Sequence, residues 1–247
     1  MFNLIRAEFY RLRHSGLYAL IMFLCTLGLV LIFPFTVNKP KFMDASLAVS
    51  VYFMSQAFLI LIFMGAFTVM GVYIGTSYNN RMAYYEIMNG YSPFKIILAK
   101  CFSVGLAGAV IVYIPVAAIL GFSAVKNGTG IIEQPLILFV LLFVMVLHAS
   151  LVTLLYSMAC KNLVFASVLA YVRFGIIDMV PALVITQEFK KLAKYDALNL
   201  SISSQAMNLH SATYDTKYIL YVVLTCVVEC AFAFGLVYYT YRNKKFK

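Results

Sequence analysis

Residues Gly75–Lys100 read GTSYNNRMAYYEIMNGYSPFKIILAK. This polar stretch lies between long apolar runs and carries its own start and stop signals. Asn79 or Asn80 suits a helix N-cap, because a short side-chain amide can accept a bond from the free backbone N–H groups of a first turn. Gly90 suits the left-handed residue that closes a helix, and Pro93 follows just beyond, where one helix cannot continue and another can start. The spacing predicts a polar helix of about ten residues that carries Arg81, Tyr84, Tyr85 and Glu86. Lys95 and Lys100 read as anchors of the next apolar run, with stems lying along it and ammonium groups reaching the surface.

Upstream of this helix the chain holds no charged residue from Ala45 to Asn80. A helix of that length reaches roughly 50 Å, against a hydrocarbon core of about 30 Å, so it overhangs the bilayer on one side. Further apolar runs lie at Leu17–Val37, Ile97–Phe122, Pro135–Cys160, Leu163–Thr186 and Tyr218–Tyr241. The expected fold is an all-α integral membrane domain covering residues 1–247. It has six transmembrane helices, at about 17–37, 47–76, 97–122, 135–160, 163–186 and 218–241, and an outer loop at 187–217. The N-terminal run reads as a retained helix rather than a cleaved leader, since its polar flank is long and no small-residue cleavage site follows.

Composition demands the same solvent. Apolar residues make up 64% of the 247 residues and charged residues only 11%. A soluble domain is nearer one half and one quarter, so this surplus has no single water-soluble core to enter. The net charge of +10 sits mostly between the apolar runs, which points to anionic headgroups rather than nucleic acid. The five cysteines fall in or at the ends of apolar runs with no CxxC pair, so neither a disulfide framework nor a zinc site is indicated.

With the N-terminus inside, eleven Lys and Arg fall on the cytoplasmic side and seven outside, and Arg173 lies within a span. That excess has the usual sign and places both termini in the cytoplasm. Before the first span, Phe2, Ile5, Phe9 and Leu12 recur at helical spacing with Arg6, Arg11 and Arg13 off the stripe. Residues 1–16 are either a short amphipathic helix lying in the inner interface or a simple basic flank.

The arrangement resembles the ABC-2 type permeases, the membrane subunits of bacterial ABC exporters. That family has an amphipathic elbow helix, six spans and a long second span running into a cytoplasmic coupling helix. Its recurrent pattern, N-R-x-x-x-x-E-x-x-x-G-x-S-x-x-x-I-x-x-x-K, is matched here at Asn80, Arg81, Glu86, Gly90, Ser92, Ile96 and Lys100. The usual basic residue after the serine is Pro93, with Lys95 two further on. The resemblance implies a plasma-membrane protein of a bacterium that pairs with a second, identical or related, permease subunit. It also implies that separate ATPase subunits, which hold ATP and Mg²⁺, dock on the coupling helix through Asn80, Arg81, Tyr84, Tyr85, Glu86 and Gly90. The bland reading of that helix is a solvated loop.

Four polar groups lie inside the runs: His148 in the fourth, Arg173 and Asp178 in the fifth, Glu229 in the sixth. Ionisable groups inside a bilayer face a bundle interior or water. Arg173 and Glu229 lie at similar depth, about 16 Å from the starts of oppositely directed helices, and are placed to pair. The four form either an intramembrane polar pathway or ion pairs that fix packing.

The resemblance implies export of an amphipathic or hydrophobic cargo, such as an antimicrobial peptide, in peptide export or bacteriocin immunity. No P-loop, GxSxG, HExxH or paired intramembrane acids occur, so no catalytic or metal residue and no cofactor of this chain's own is expected. The competing readings are a stand-alone membrane immunity or binding protein without an ATPase and, third, an intramembrane enzyme.

Overall fold

The computed structural model describes residues 2–14, 46–53, 73, 86–159, 168, 172, 202–210 and 214–242. Among them every regular element is a helix. They are α1 (Phe2–His14), α2 (Leu47–Phe53), α3 (Pro93–Asn127), α4 (Pro135–Ala159), α5 (Ile202–Met207) and α6 (Thr216–Arg242). The expected span at 17–37, and most of those at 47–76 and 163–186, lie outside the described residues.

α3, α4 and α6 are each long and apolar enough to cross a membrane. α4 and α6 start and end within two residues of the expected spans. α3 is longer than the expected 97–122, running 35 residues from Pro93 to Asn127. Its start is set by Ser92, extended at φ −67°, ψ 147°, and by Pro93 in the first turn, whose missing N–H is not needed there. Its end is set by Gly128, whose φ of +77° is open to a residue without Cβ. Apolar counting truncated the helix at both ends because Lys95 and Lys126 lie inside it.

α3 contains a π-helical turn at Cys101–Gly105. Such a turn inserts a residue and disturbs the regular ladder, and here a neighbour compensates. The Ser150 hydroxyl of α4 donates to the Gly105 carbonyl at 2.6 Å. The absent side chain of Gly105 lets the two helices close up, since a Cβ there would stand 2.7 Å from Leu151 Cδ2.

α4 is the central helix, with Leu138, Leu142, Met145, Ala149 and Val152 all buried. α3 packs on one side of it and α6 on another. α2 lies on the far half of α3, where Leu47 N–H donates to the Gly128 carbonyl and the Ser50 hydroxyl to Ser123 Oγ, both at 3.0 Å. At the same end α5 meets α6, with the Gln205 amide donating to Thr225 Oγ1 at 2.9 Å. α1 caps the other end, where Phe94 and Phe234 meet edge to face at 5.5 Å.

α6 is the outermost of the three long helices. Leu220, Leu224, Val228, Phe232 and Tyr239 are all at least half exposed along its length. An apolar face that continuous is unfavourable against water and ordinary against lipid. Helix length, apolar composition and this outward face define an all-α membrane protein.

Candidate functional site

α1 presents three faces. Leu4, Glu8 and Leu12, four residues apart, are buried against the protein. Phe2 and Phe9 project outward, 88% and 46% exposed. Arg6, Tyr10 and Arg13 are exposed on the third face. The stripe that meets the protein is therefore Leu4–Glu8–Leu12, a register that includes only Leu12 of the four apolar residues singled out from the sequence.

Glu8 enters that face because two cations and a second acid await it. Residues 86–88 form the end of a helical turn that closes at Gly90, whose φ is +80°. Gly90 N–H donates to the Ile87 carbonyl at 2.9 Å and Tyr91 N–H to the Glu86 carbonyl at 3.3 Å. This is the paired closure in which a glycine satisfies the last free carbonyls of a helix. It fixes Glu86 facing α1, seven residues before α3 begins. One further helical run, from Pro93 to Lys100, brings the Lys100 ammonium to the same place.

The result is a four-membered charge cluster. Arg11 Nη1 donates to Glu8 Oε1 at 3.0 Å and to Glu86 Oε1 at 2.9 Å. Lys100 Nζ donates to Glu8 Oε1 at 2.9 Å and stands 3.7 Å from Glu86 Oε1. Glu8, Glu86 and Lys100 are all at most 4% exposed. Two cations balance two carboxylates, which is the condition under which ions tolerate burial. Burial alone pushes the Glu8 carboxyl upward in pKa, but the charge and hydrogen bond of Lys100, with the charge of Arg11 and the Glu86 side chain beside it, outweigh it and hold Glu8 below the usual carboxylate range. Burial likewise works against the Arg11 cation, and the Glu86 bond and both carboxylate charges reverse that effect and raise its pKa. The Tyr73 side chain stands close enough to interact with Glu8, Arg11 and Glu86.

Lys100 departs from its expected role. It does not run out to the surface as an anchor; it turns into the protein and is 3% exposed. The reason is local: paired acids from α1 and from the Glu86 turn replace the water it would otherwise seek. Glu86 also faces inward, so it does not form part of an exposed contact surface. One of its oxygens, Oε2, is buried with no hydrogen-bond partner.

The second constellation lies in the middle of the helices. His148 Nε2 of α4 and Glu229 Oε2 of α6 are 3.1 Å apart. Each is about half-way along its helix, so the two are matched in depth. His148 is 1% exposed, while the Glu229 side chain is 20% exposed and borders a groove of about 370 Å³ lined by Leu224, Thr225, Val228 and Phe232. The sequence places Glu229 where it could pair with Arg173, which lies outside the described residues; among the described residues Glu229 meets His148.

Asn80, Arg81, Tyr84, Tyr85, Arg173 and Asp178 lie outside the described residues. Sequence reasoning passed over Glu8. The available signal was a single acid spaced four residues from both Leu4 and Leu12, in a helix whose other charged groups are all cationic. Among the described residues no three His, Cys, Asp or Glu side chains converge to hold a metal ion.

Compared with protein-family models, with curated proteins and with solved structures, the chain matches none of them. Its class is defined by its own residues: a helical membrane protein whose amphipathic N-terminal helix is locked onto its third long apolar segment by buried charge.

Proposed function

We propose that this chain is the membrane subunit of an ATP-driven exporter, a permease of the ABC-2 type with six spans, an interfacial elbow helix (1–16) and a coupling helix before Gly90. In this reading it sits in a bacterial plasma membrane with both termini in the cytoplasm. It pairs with a second permease subunit and with separate ATPase subunits that bind ATP and Mg²⁺. Its cargo is amphipathic or hydrophobic, such as an antimicrobial peptide.

The observation that carries the reading is the Glu8–Arg11–Glu86–Lys100 cluster. A coupling helix must convert a push from another subunit into movement of spans, and a packed, two-state connection does that better than a floppy loop. The cluster ties the end of the 79–90 segment at once to α1 and to the start of α3. A force applied at Asn80, Arg81, Tyr84 or Tyr85 then passes through Glu86 into both helices.

A second reading, a stand-alone immunity or binding protein, is favoured by the inward aim of Glu86, since an internal cluster serves a static fold equally well. Affinity capture of the tagged chain from native membranes separates the two. Recovery of an ATPase subunit, lost on Arg81→Glu, supports the exporter. Capture with no ATPase, together with cargo protection that survives Arg81→Glu, sinks it.

A further inference from the structure

The outer surface of α1 suits a ligand of its own. The helix carries Arg6, Arg11, Arg13 and His14 against a single acid, Glu8. Glu8 is buried and matched by Lys100 and Arg11, so the exposed part of α1 shows no negative charge. On that part, Asn3, Arg6, Ala7, Tyr10 and Arg11 line an open depression of about 540 Å³. Tyr10 is steadied by His14, whose ring stacks on it at 4.0 Å and whose Nδ1 lies 2.8 Å from the Tyr10 carbonyl oxygen. Phe2 and Phe9, four residues before and three after Arg6, fall beside it by helical spacing, and their rings project outward.

Guanidinium groups match a phosphate in geometry and charge, and amide and phenol groups add neutral donors. Exposed rings on the adjoining face of a surface helix enter the acyl boundary and set the depth of such a helix at the headgroups. We propose that the depression between Arg6 and Arg11 holds the phosphate of an anionic phospholipid in the leaflet against which α1 lies. The rings decide between lipid and free phosphate: only a lipid brings acyl chains to Phe2 and Phe9. Arg11 gives the site a second consequence. Its Nη1 is committed to Glu8 and Glu86, while 33% of its side chain remains exposed. Headgroup and charge cluster thus share one side chain, and lipid occupancy steadies α1 on α3.

The test uses the purified full-length chain in detergent and native mass spectrometry with phosphatidylglycerol or phosphatidylcholine of identical acyl chains. The expected result is preferential retention of phosphatidylglycerol. Arg6→Gln, an exposed position that the charge cluster does not use, lowers that preference about fivefold. Lys126→Gln, at the opposite end of α3, leaves it unchanged. Equal retention of the two lipids overturns the proposal. So does an equal loss in Arg6→Gln and Lys126→Gln, which reports bulk charge rather than a site. Displacement of the lipid by inorganic phosphate at matching concentration overturns the lipid assignment.

Discussion

Lys100 Nζ and Glu8 Oε1 stand 2.9 Å apart across 92 positions of sequence, with neither side chain more than 4% exposed. A contact so remote in sequence and so poor in water fixes the N-terminal helix to the body of the protein. Removing one member leaves uncompensated charge behind, at a cost of about 3–5 kcal/mol for a buried pair. Lys100→Met is therefore expected to lower the unfolding midpoint in detergent sharply. Glu8→Gln combined with Lys100→Met recovers at least half of the loss, because the acid stranded by the first change is gone. Losses that simply add in the double variant would show that the two residues act independently.

The same pair sets a pH dependence. The Glu8 carboxyl has a lower pKa in the folded protein than its ordinary value of 4.5. Its contribution to stability is complete above about pH 4.5 and declines as the pH falls through the folded value. Thermal unfolding of wild type and Glu8→Gln is expected to differ by a constant amount from pH 7 to pH 5. The gap narrows below about pH 4.5. A gap that persists undiminished to pH 3 removes the charge argument and leaves only shape.

Gly90 isolates a backbone effect. Its φ is +80°, and a Cβ built there would meet nothing within 4 Å. Gly90→Ala introduces no clash, only the strain of an L-residue in the left-handed region, about 1–2 kcal/mol. Gly90→Asn, whose side chain tolerates that region, is expected to fall between the two in a melting series. If alanine and glycine melt together, the closure of the Glu86 turn does not depend on Gly90.

How much of this was legible follows from what each residue needs. Gly90 and Pro93 act through local backbone rules, so their spacing alone announced the closure and restart that the structure shows. The apolar runs of α4 and α6 were legible for the same reason: composition over 20-odd residues decides whether a segment prefers lipid. Glu86 and Lys100 stood in a recognisable pattern, yet nothing local says that they converge, because the acid that completes the cluster lies on α1. Lys100 read as a surface anchor since an unpaired lysine belongs at the surface; only tertiary contact with Glu8 overrides that. The length of α3 was underread because charged residues at helix ends were counted as loop. That Glu229 meets a buried imidazole at matched depth was not announced, because His148 lies on another helix and only tertiary packing brings the two together.

That imidazole gives the last prediction. His148 and Glu229 join α4 to α6, the outermost of the long helices, at mid-height, 3.1 Å apart. Polar contacts between membrane helices contribute modestly, about 0.6 kcal/mol on average and up to about 1.7. A double-mutant cycle between His148→Leu and Glu229→Leu, read by unfolding in mixed micelles, is expected to give a coupling of about 1 kcal/mol. Glu229→Gln keeps an acceptor for an imidazole N–H and is expected to retain most of the stability that Glu229→Leu loses. Stability alone does not exhaust the pair, because Glu229 also borders the groove with Thr225 and Phe232. On the proposed exporter reading, if packing is its whole role, Glu229→Gln leaves cargo movement at the wild-type rate. A variant that folds as wild type yet moves cargo several-fold more slowly assigns the carboxylate's charge to the proposed pathway instead.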